Sequence, residues 1–346
     1  MTQSQPVILF DPYPRVNDVI FSPHDKARLE TMARVIWHDG GPAPDALIDQ
    51  HLPDAIALIG QAALPRERLD RAPNLRVVIN VEGNFLPNID YAECHRRNIP
   101  VLCVGPFFAQ PVAEMALGMA LAAARRITDA DAAIRRGNES LYGDLDNYDS
   151  FLLRGKTLGL LGCGNVGRAL LPLLRPFGGR IIVHDPWIHS SVLREMNVEP
   201  VGLDDLFARS RVLFIVAAPT TENMHAIGAH HFAALPQGAV VALVSRAGVV
   251  DFDALLDAAE SGHIRAAIDV WPQEPIPANH RARRMPNTVL AAHRAGNIPE
   301  DWTGMGEMVV DDLEMILRGL TPQRCQIANL ATVSRFRSKP ATDAAK

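Results

Sequence analysis

Cysteine is scarce in this sequence: Cys94, Cys103, Cys163 and Cys325 are the only four in 346 residues, and no two have CxxC spacing. That argues against a disulfide scaffold and a cysteine-ligated zinc site. It suits a reducing compartment, so a cytoplasmic protein without a bound metal is expected. Basic charge is also short. Lys and Arg number 34 against 39 Asp and Glu, for a formal net charge of −5. No overall positive field then gathers nucleic acid or an anionic membrane, and neither is expected as a partner. A carboxylate substrate would need a local cation. Long apolar runs are missing too, since none reaches the roughly 18 uninterrupted residues of a membrane span. The nearest, residues 112–124, is closed by Arg125 and Arg126 and reads as a buried helix. Residues 1–6 lack the basic-then-apolar order of a secretion signal. What is present, 48% hydrophobic with 21% charged residues, is a globular composition, and the length fits two domains.

Along the chain, apolar runs at residues 7–10, 55–59 and 75–81 alternate with helical or turn segments, including a helical stretch at 25–37. This predicts a small α/β domain. Gly105, Pro106 and Pro111 mark a break before a long helix at 112–126. Six short apolar runs then follow, at 157–162, 180–184, 211–217, 239–244, 265–270 and 288–292, mostly with helix-like segments between them. Continuous rather than alternating apolar runs are what parallel strands covered on both faces require, so a doubly wound sheet is expected. An amphipathic helix at 301–318 closes the ordered chain, and the small, polar, basic composition after Leu330 predicts disorder.

The first of the six runs leads into Gly162-Cys163-Gly164-Asn165-Val166-Gly167 and then a helical segment. This is GxGxxG in its required context, strand before and helix after. Gly162 permits the tight turn, Gly164 lets backbone approach a pyrophosphate, and Gly167 lets helix and strand pack closely. The next strand ends at His184-Asp185, which puts an acid about 20 residues on. Asp185 is expected to accept hydrogen bonds from the adenosine ribose and to repel a 2′-phosphate, favouring NAD. Asn165, Val166 and, past the third strand, Ala218 complete the expected cofactor-binding set. Cys163 reads as a small filler of the loop.

Ligands of open α/β sheets bind outside the carboxyl ends of the strands. There the sequence places Arg246, Glu274 and His293, after the fourth, fifth and sixth runs. Reduction of a 2-oxo acid needs these types. Arg offers a permanently charged, two-pronged donor for carboxylate and carbonyl. His donates a proton near neutrality, and a neighbouring carboxylate favours the imidazolium and orients its ring. Asp269, near the end of its strand, is expected to reach the nicotinamide carboxamide, or else to cap a loop as a buried strand-end acid.

Together these residues resemble the D-isomer-specific 2-hydroxyacid dehydrogenase family. The resemblance extends to residues 112–114 leading to 124–126, to 155–159, to Val249-Val250-Asp251, to Asp269-Val270-Trp271 with Glu274-Pro275, and to His293 with Ala295-Gly296. It implies an NAD-dependent enzyme interconverting a 2-oxo acid and a (D/R)-2-hydroxy acid. Arg246 binds substrate, and His293 is the acid/base paired with Glu274. It also implies a homodimer, and a Rossmann-type domain (106–296) inserted in a smaller flavodoxin-like substrate domain (1–105 and 297–330), before a disordered tail (331–346). Asn88-Ile89-Asp90 matches the segment after the family's carboxylate-binding loop, so the backbone N–H groups of Asn84 and Phe85 are expected to bind substrate. Phe85, Cys103, Ala247 and Ala292 depart from the usual pattern. If Phe85, Phe107 and Phe108 line the substrate pocket, an apolar 2-oxo side chain is favoured; otherwise they are packing. Two alternatives remain: an NAD-sensing, corepressor-like protein with little turnover, and a formate dehydrogenase, against which Glu274 argues because Gln stands there.

Overall fold

The computed structural model describes residues 6–138 and 149–337. Two compact units share the chain: one takes the residues up to Phe108 and those from Ile298 on, the other Ala109–Asn297. The first unit opens with β1 (Val7–Asp11), β2 (Arg34–Ile36), β3 (Ala55–Gly60), β4 (Val77–Asn80) and β5 (Val101–Cys103). The second holds β6 (Leu158–Leu161), β7 (Ile181–His184), β8 (Glu199–Pro200), β9 (Val212–Ile215), β10 (Ala239–Leu243), β11 (Ile264–Ile268) and β12 (Thr288–Leu290). The chain then returns to the first sheet as β13 (Gln326–Ile327).

In the second unit the strand order is β12-β11-β10-β9-β6-β7-β8, with every pair parallel. The reversal between β6 and β9 is the switch point of a Rossmann-type sheet. Both faces are covered, which is why the strands read as continuous apolar runs. One core packs Leu213, Ile215, Val241, Leu243 and Ile268 under helices that include Phe252–Glu260. The other packs Leu160, Phe214, Val240 and Ala242 under the helices Ala109–Arg125 and Asn165–Leu174.

The first unit has the order β13-β5-β4-β3-β1-β2, all parallel except the antiparallel β13. Read from β2 to β5 this is the flavodoxin-like order, reversing between β1 and β3. Helices Pro23–Met32 and Thr303–Leu317 cover one face, and Asp45–His51 and Tyr91–Arg96 the other.

Four expectations change in the structure. The helix expected over 25–37 ends at Met32, because Arg34-Val35-Ile36 pairs with β1 as a strand. The strands β5, β8 and β13, of three, two and two residues, are too short to carry a periodic signal. The helix expected from residue 112 begins at Ala109, with Pro111 in its first turn, where an N–H has no partner to lose. With the 3-10 turn before it, Gly105–Arg125 makes 21 helical residues, long and apolar enough to cross a membrane by length and composition alone. Its packing is that of a core helix, with Ala113, Ala116, Ala120 and Ala124 buried. Finally, the disorder expected beyond Leu330 fails up to Arg337, and residues 338–346 lie outside the described residues. Asn329 caps a short helix, Leu330–Val333, and Val333 and Phe336 pack with the Phe85 ring.

Candidate active site

The glycine loop follows β6 at the switch point. Gly162 has φ +95°, and a Cβ there would stand 2.7 Å from Ala217 Cα. Only glycine tolerates both. A Cβ on Gly167 would stand 2.6 Å from the Gly162 carbonyl oxygen, so the helix can approach the strand only without a side chain. Gly164 differs: a Cβ there meets no atom within 4 Å. The space over it is open, and as N-cap it brings no side chain to the first turn of Asn165–Leu174. An uncapped helix start with bare space in front is a cradle for a pyrophosphate, so these residues fit a dinucleotide. Asp185 directly follows the next strand, β7. Its Oδ2 accepts from Cys163 N–H at 2.7 Å and its Oδ1 from Trp187 N–H at 2.9 Å. The carboxylate thus ties the glycine loop to the turn after β7, and each oxygen keeps a lone pair. Val166 is half-buried against the core. Ala218 is held by a turn in which Asn223 Nδ2 donates to its carbonyl at 2.9 Å.

His293 and Glu274 come together across two loops: His293 Nδ1 donates to Glu274 Oε2 at 2.6 Å. The second oxygen of Glu274 accepts from Trp271 N–H at 2.9 Å. Burial pushes the Glu274 carboxyl up, but those two hydrogen bonds and the charges of His293 and Arg246 outweigh it, and it sits below its ordinary value. That loop is fixed from beneath by Trp271, whose Nε1 donates to the Ala291 carbonyl at 2.9 Å. Arg246, extended at φ −152°, is held to its own loop, with Nη1 donating to the Ser245 carbonyl at 2.7 Å.

Asp269 caps the His293 loop, one of the two places the sequence allowed it. It is 0% exposed, whereas the His293 side chain is 39% exposed. The Asp269 backbone carbonyl accepts from His293 N–H at 2.7 Å, and its carboxylate oxygens accept from Arg294 N–H at 2.9 Å and Ala295 N–H at 3.0 Å. Three successive donors therefore converge on one residue. His293 needs that hold, because its φ is +52°, a conformation uncommon outside glycine and asparagine. Asp269 is the loop-capping acid, a positioning residue for the imidazole. Asp269→Asn keeps the shape but turns one acceptor into a donor facing an N–H. Reductase kcat is expected to fall about 10-fold or more, with stability down by about 1–3 kcal/mol, read by steady-state kinetics and urea titration. Unchanged kcat would mean the loop holds itself.

In the first unit, Asn84 and Phe85 lie in the loop after β4, and among the described residues their N–H groups make no hydrogen bond. The Phe85 ring is buried with Cys103, Tyr91, Val333 and Phe336, and Phe107 is buried in the core under Thr303–Leu317. Phe108 is half-buried with a guanidinium, that of Arg15, 5.3 Å from its ring centre. Phe85 and Phe107 are therefore packing, which leaves Phe108 as the one of the three rings with exposed surface. Arg15 and Glu82 pair beside this loop, brought together at the carboxyl ends of β1 and β4.

A glycine-rich switch point facing an open cradle, with His, Glu and Arg at the ends of neighbouring strands, defines a nicotinamide-dinucleotide oxidoreductase. The model of the D-isomer specific 2-hydroxyacid dehydrogenase NAD-binding domain matches residues 117–295. A glyoxylate reductase of Korarchaeum cryptofilum is 31% identical over 290 residues, 83% of this chain and 87% of that one. A D-3-phosphoglycerate dehydrogenase of Methanocaldococcus jannaschii is 30% identical over 77% of this chain but only 50% of its own length. Among solved structures, a phosphoglycerate oxidoreductase from Rhizobium etli superposes with a TM-score of 0.83 at 42% identity, covering 94% of this chain and 98% of that one. The chain belongs to the D-isomer specific 2-hydroxyacid dehydrogenase family and is an NAD-dependent enzyme of that family.

Proposed function

We propose that this enzyme interconverts a 2-oxo acid and a (D/R)-2-hydroxy acid, with Arg246 binding the substrate and His293 and Glu274 moving the proton. The 2.6 Å bond between His293 and Glu274 carries the reading. When bound, NAD supplies or accepts the hydride. In the reduction direction, Arg246 holds the carboxylate and polarises the carbonyl, and the His293 imidazolium gives its proton from Nε2 to the oxygen that becomes the hydroxyl. Glu274, on Nδ1, fixes which nitrogen faces the substrate. The N–H groups of Asn84 and Phe85 offer further donors for a carboxylate. The glutamate at 274 does not suit a formate dehydrogenase. Turnover separates this reading from an NAD sensor: NADH oxidation with a panel of 2-oxo acids is expected, and NADH binding without turnover would end it.

Asp185 sets the cofactor choice. A 2′-phosphate beside its carboxylate meets like charge, worth about 3 kcal/mol or about 10²-fold in kcat/KM. NADH is therefore expected to outperform NADPH by that order in steady-state assays, and equal use of NADPH would remove Asp185 from the ribose site. The four cysteines are all free and buried, which supports a reducing, cytoplasmic setting. Ile127 and Ile134, 55% and 61% exposed on the helix Ile127–Arg135, offer apolar surface for a second copy to cover, which supports a homodimer.

A further inference from the structure

Arg246, Glu274 and His293 follow the carboxyl ends of β10, β11 and β12, and the opposite edge of the same sheet carries a second group of polar residues. Arg211, Gly238 and Asn287 directly precede β9, β10 and β12, and Arg265 is the second residue of β11. At these amino ends a cavity of about 430 Å³ is lined by Arg211, Arg265, Phe151, Gly238 and Asn287. That volume falls within the ~300–1,000 Å³ of small-molecule sites. Every lining residue belongs to the second unit.

Two guanidiniums share this cavity on unequal terms. The Arg265 side chain is 7% exposed and tied in on several sides. Its Nη1 donates to the Ala123 and Ala124 carbonyls at 3.0 and 3.2 Å, and its Nη2 to the Asp149 carbonyl at 2.8 Å. Asp149 Oδ2 pairs with it at 2.7 Å and also answers Arg126 at 3.4 Å. Arg211 is half-buried and forms no ion pair among the described residues. Its guanidinium carbon lies 4.0 Å from the centre of the Phe151 ring, and Nη1 donates to the Gln237 carbonyl at 2.5 Å. Among the described residues its Nε and Nη2 make no hydrogen bond. Burial first, and then the charge of Arg265, hold the Arg211 guanidinium below its ordinary value.

A guanidinium stacked on a ring keeps its edges for bonds in its own plane. The Nε–Nη2 edge is a fork of two parallel donors, the geometry that takes two oxygens of one carboxylate or phosphate. Packing over Phe151 needs no charge, and withdrawing a cation from water beside a second cation costs free energy unless an anion offsets it. An oxyanion in the cavity meets the fork and offsets the repulsion, whereas a cationic or apolar guest does neither. We propose that the cavity at the amino ends of β9–β12 is an anion site, in which Arg211 grips the carboxylate or phosphate group of a small molecule and Arg265 adds its charge. Asp149 is the opposing group, because its carboxylate faces the same cavity. The site lies at the other end of the strands from His293, so its guest is not the substrate being reduced.

The test is calorimetric titration of the NADH-bound enzyme, whose pyrophosphate cradle is filled, with inorganic phosphate, glucose 6-phosphate and butyrate at constant ionic strength. Saturable binding of at least one of the three is expected in the parent. Tightest binding of glucose 6-phosphate assigns the site to a phosphate ester, of inorganic phosphate to the free ion, and of butyrate to a carboxylate; each supports the site if it depends on Arg211. Arg211→Gln removes the charge and the fork, and binding is expected to weaken at least ~10-fold. Arg246→Lys, at the opposite end of the strands, is expected to leave this binding unchanged, which separates it from occupation of the substrate site. Asp149→Asn keeps the shape of the side chain and removes the opposing charge, so anion binding is expected to tighten ~10-fold. That gain is a readout that loss of folding in Arg211→Gln cannot imitate. No saturable binding by the parent, binding indifferent to Arg211→Gln, binding lost in Arg246→Lys instead, or weaker binding in Asp149→Asn overturns the proposal.

Discussion

Replacing His293 by Gln is expected to lower 2-oxo acid reduction by about 10²–10⁴-fold, the range of a positioned general acid, and to leave NADH affinity unchanged. Glutamine can fill the space and keep a hydrogen bond to Glu274, but it has no proton to give. Titration of NADH binding by fluorescence, beside steady-state turnover, separates the two effects. Near-normal turnover would show that the proton comes from elsewhere. The Glu274→Gln change acts on the same step more mildly. The Glu274 carboxyl sits below its ordinary value, with burial opposing and the bonds from His293 and Trp271 prevailing, so it is an anion throughout the neutral range. Without that anion the imidazolium loses its partner, and reduction is expected to fail at a lower pH than in the parent. The sign for stability follows from the same depression. The contribution of this carboxylate is complete above the ordinary carboxylate range and is lost as pH falls through the lower folded value.

The second unit was the more legible of the two in the sequence. Its strands are buried on both faces and read as bare apolar runs, and its glycine loop has backbone demands that only glycine meets. Arg246, Glu274 and His293 follow from where the strands end. What the sequence left open was which polar group faces the ligand. Asp269 is an example: a strand-end acid reads the same whether it touches a cofactor or caps a loop, and the three donors at residues 293–295 show the second role.

The first unit hid more. β2 is a three-residue strand directly after a helix, and its Arg34-Val35-Ile36 could continue that helix as readily as pair with β1. The aromatic residues at 85, 107 and 108 are equally suited to a pocket wall or a core, since ring burial looks the same in sequence. The basic composition after Leu330 concealed Val333 and Phe336, which close over Phe85. Arg15 and Glu82 are separated by 67 positions, and only the parallel order of β1, β3 and β4 brings them together.

The Arg246→Lys variant tests whether charge alone suffices at the substrate carboxylate. Lysine keeps the positive charge but presents one compact ammonium in place of a planar fork, so it cannot hold a carboxylate and a carbonyl oxygen in fixed register. Arg246 already commits Nη1 to the Ser245 carbonyl, which pins the guanidinium and leaves the rest of its donors for the substrate. A lysine at this position would lose that pin as well as the second prong. Removing one donor aimed at developing charge costs about 10²–10³-fold in kcat, and a loss of that order in kcat/KM is expected here. Since the carboxylate is common to every 2-oxo acid, the loss is expected to be similar across a substrate panel. Glu274, part of whose low carboxyl value comes from the Arg246 charge, keeps a cation nearby in the variant, so the pH profile is expected to shift little. Parental kcat/KM on all acids in the Arg246→Lys enzyme would make Arg246 a structural residue of its loop, and the substrate's cation would have to be sought elsewhere.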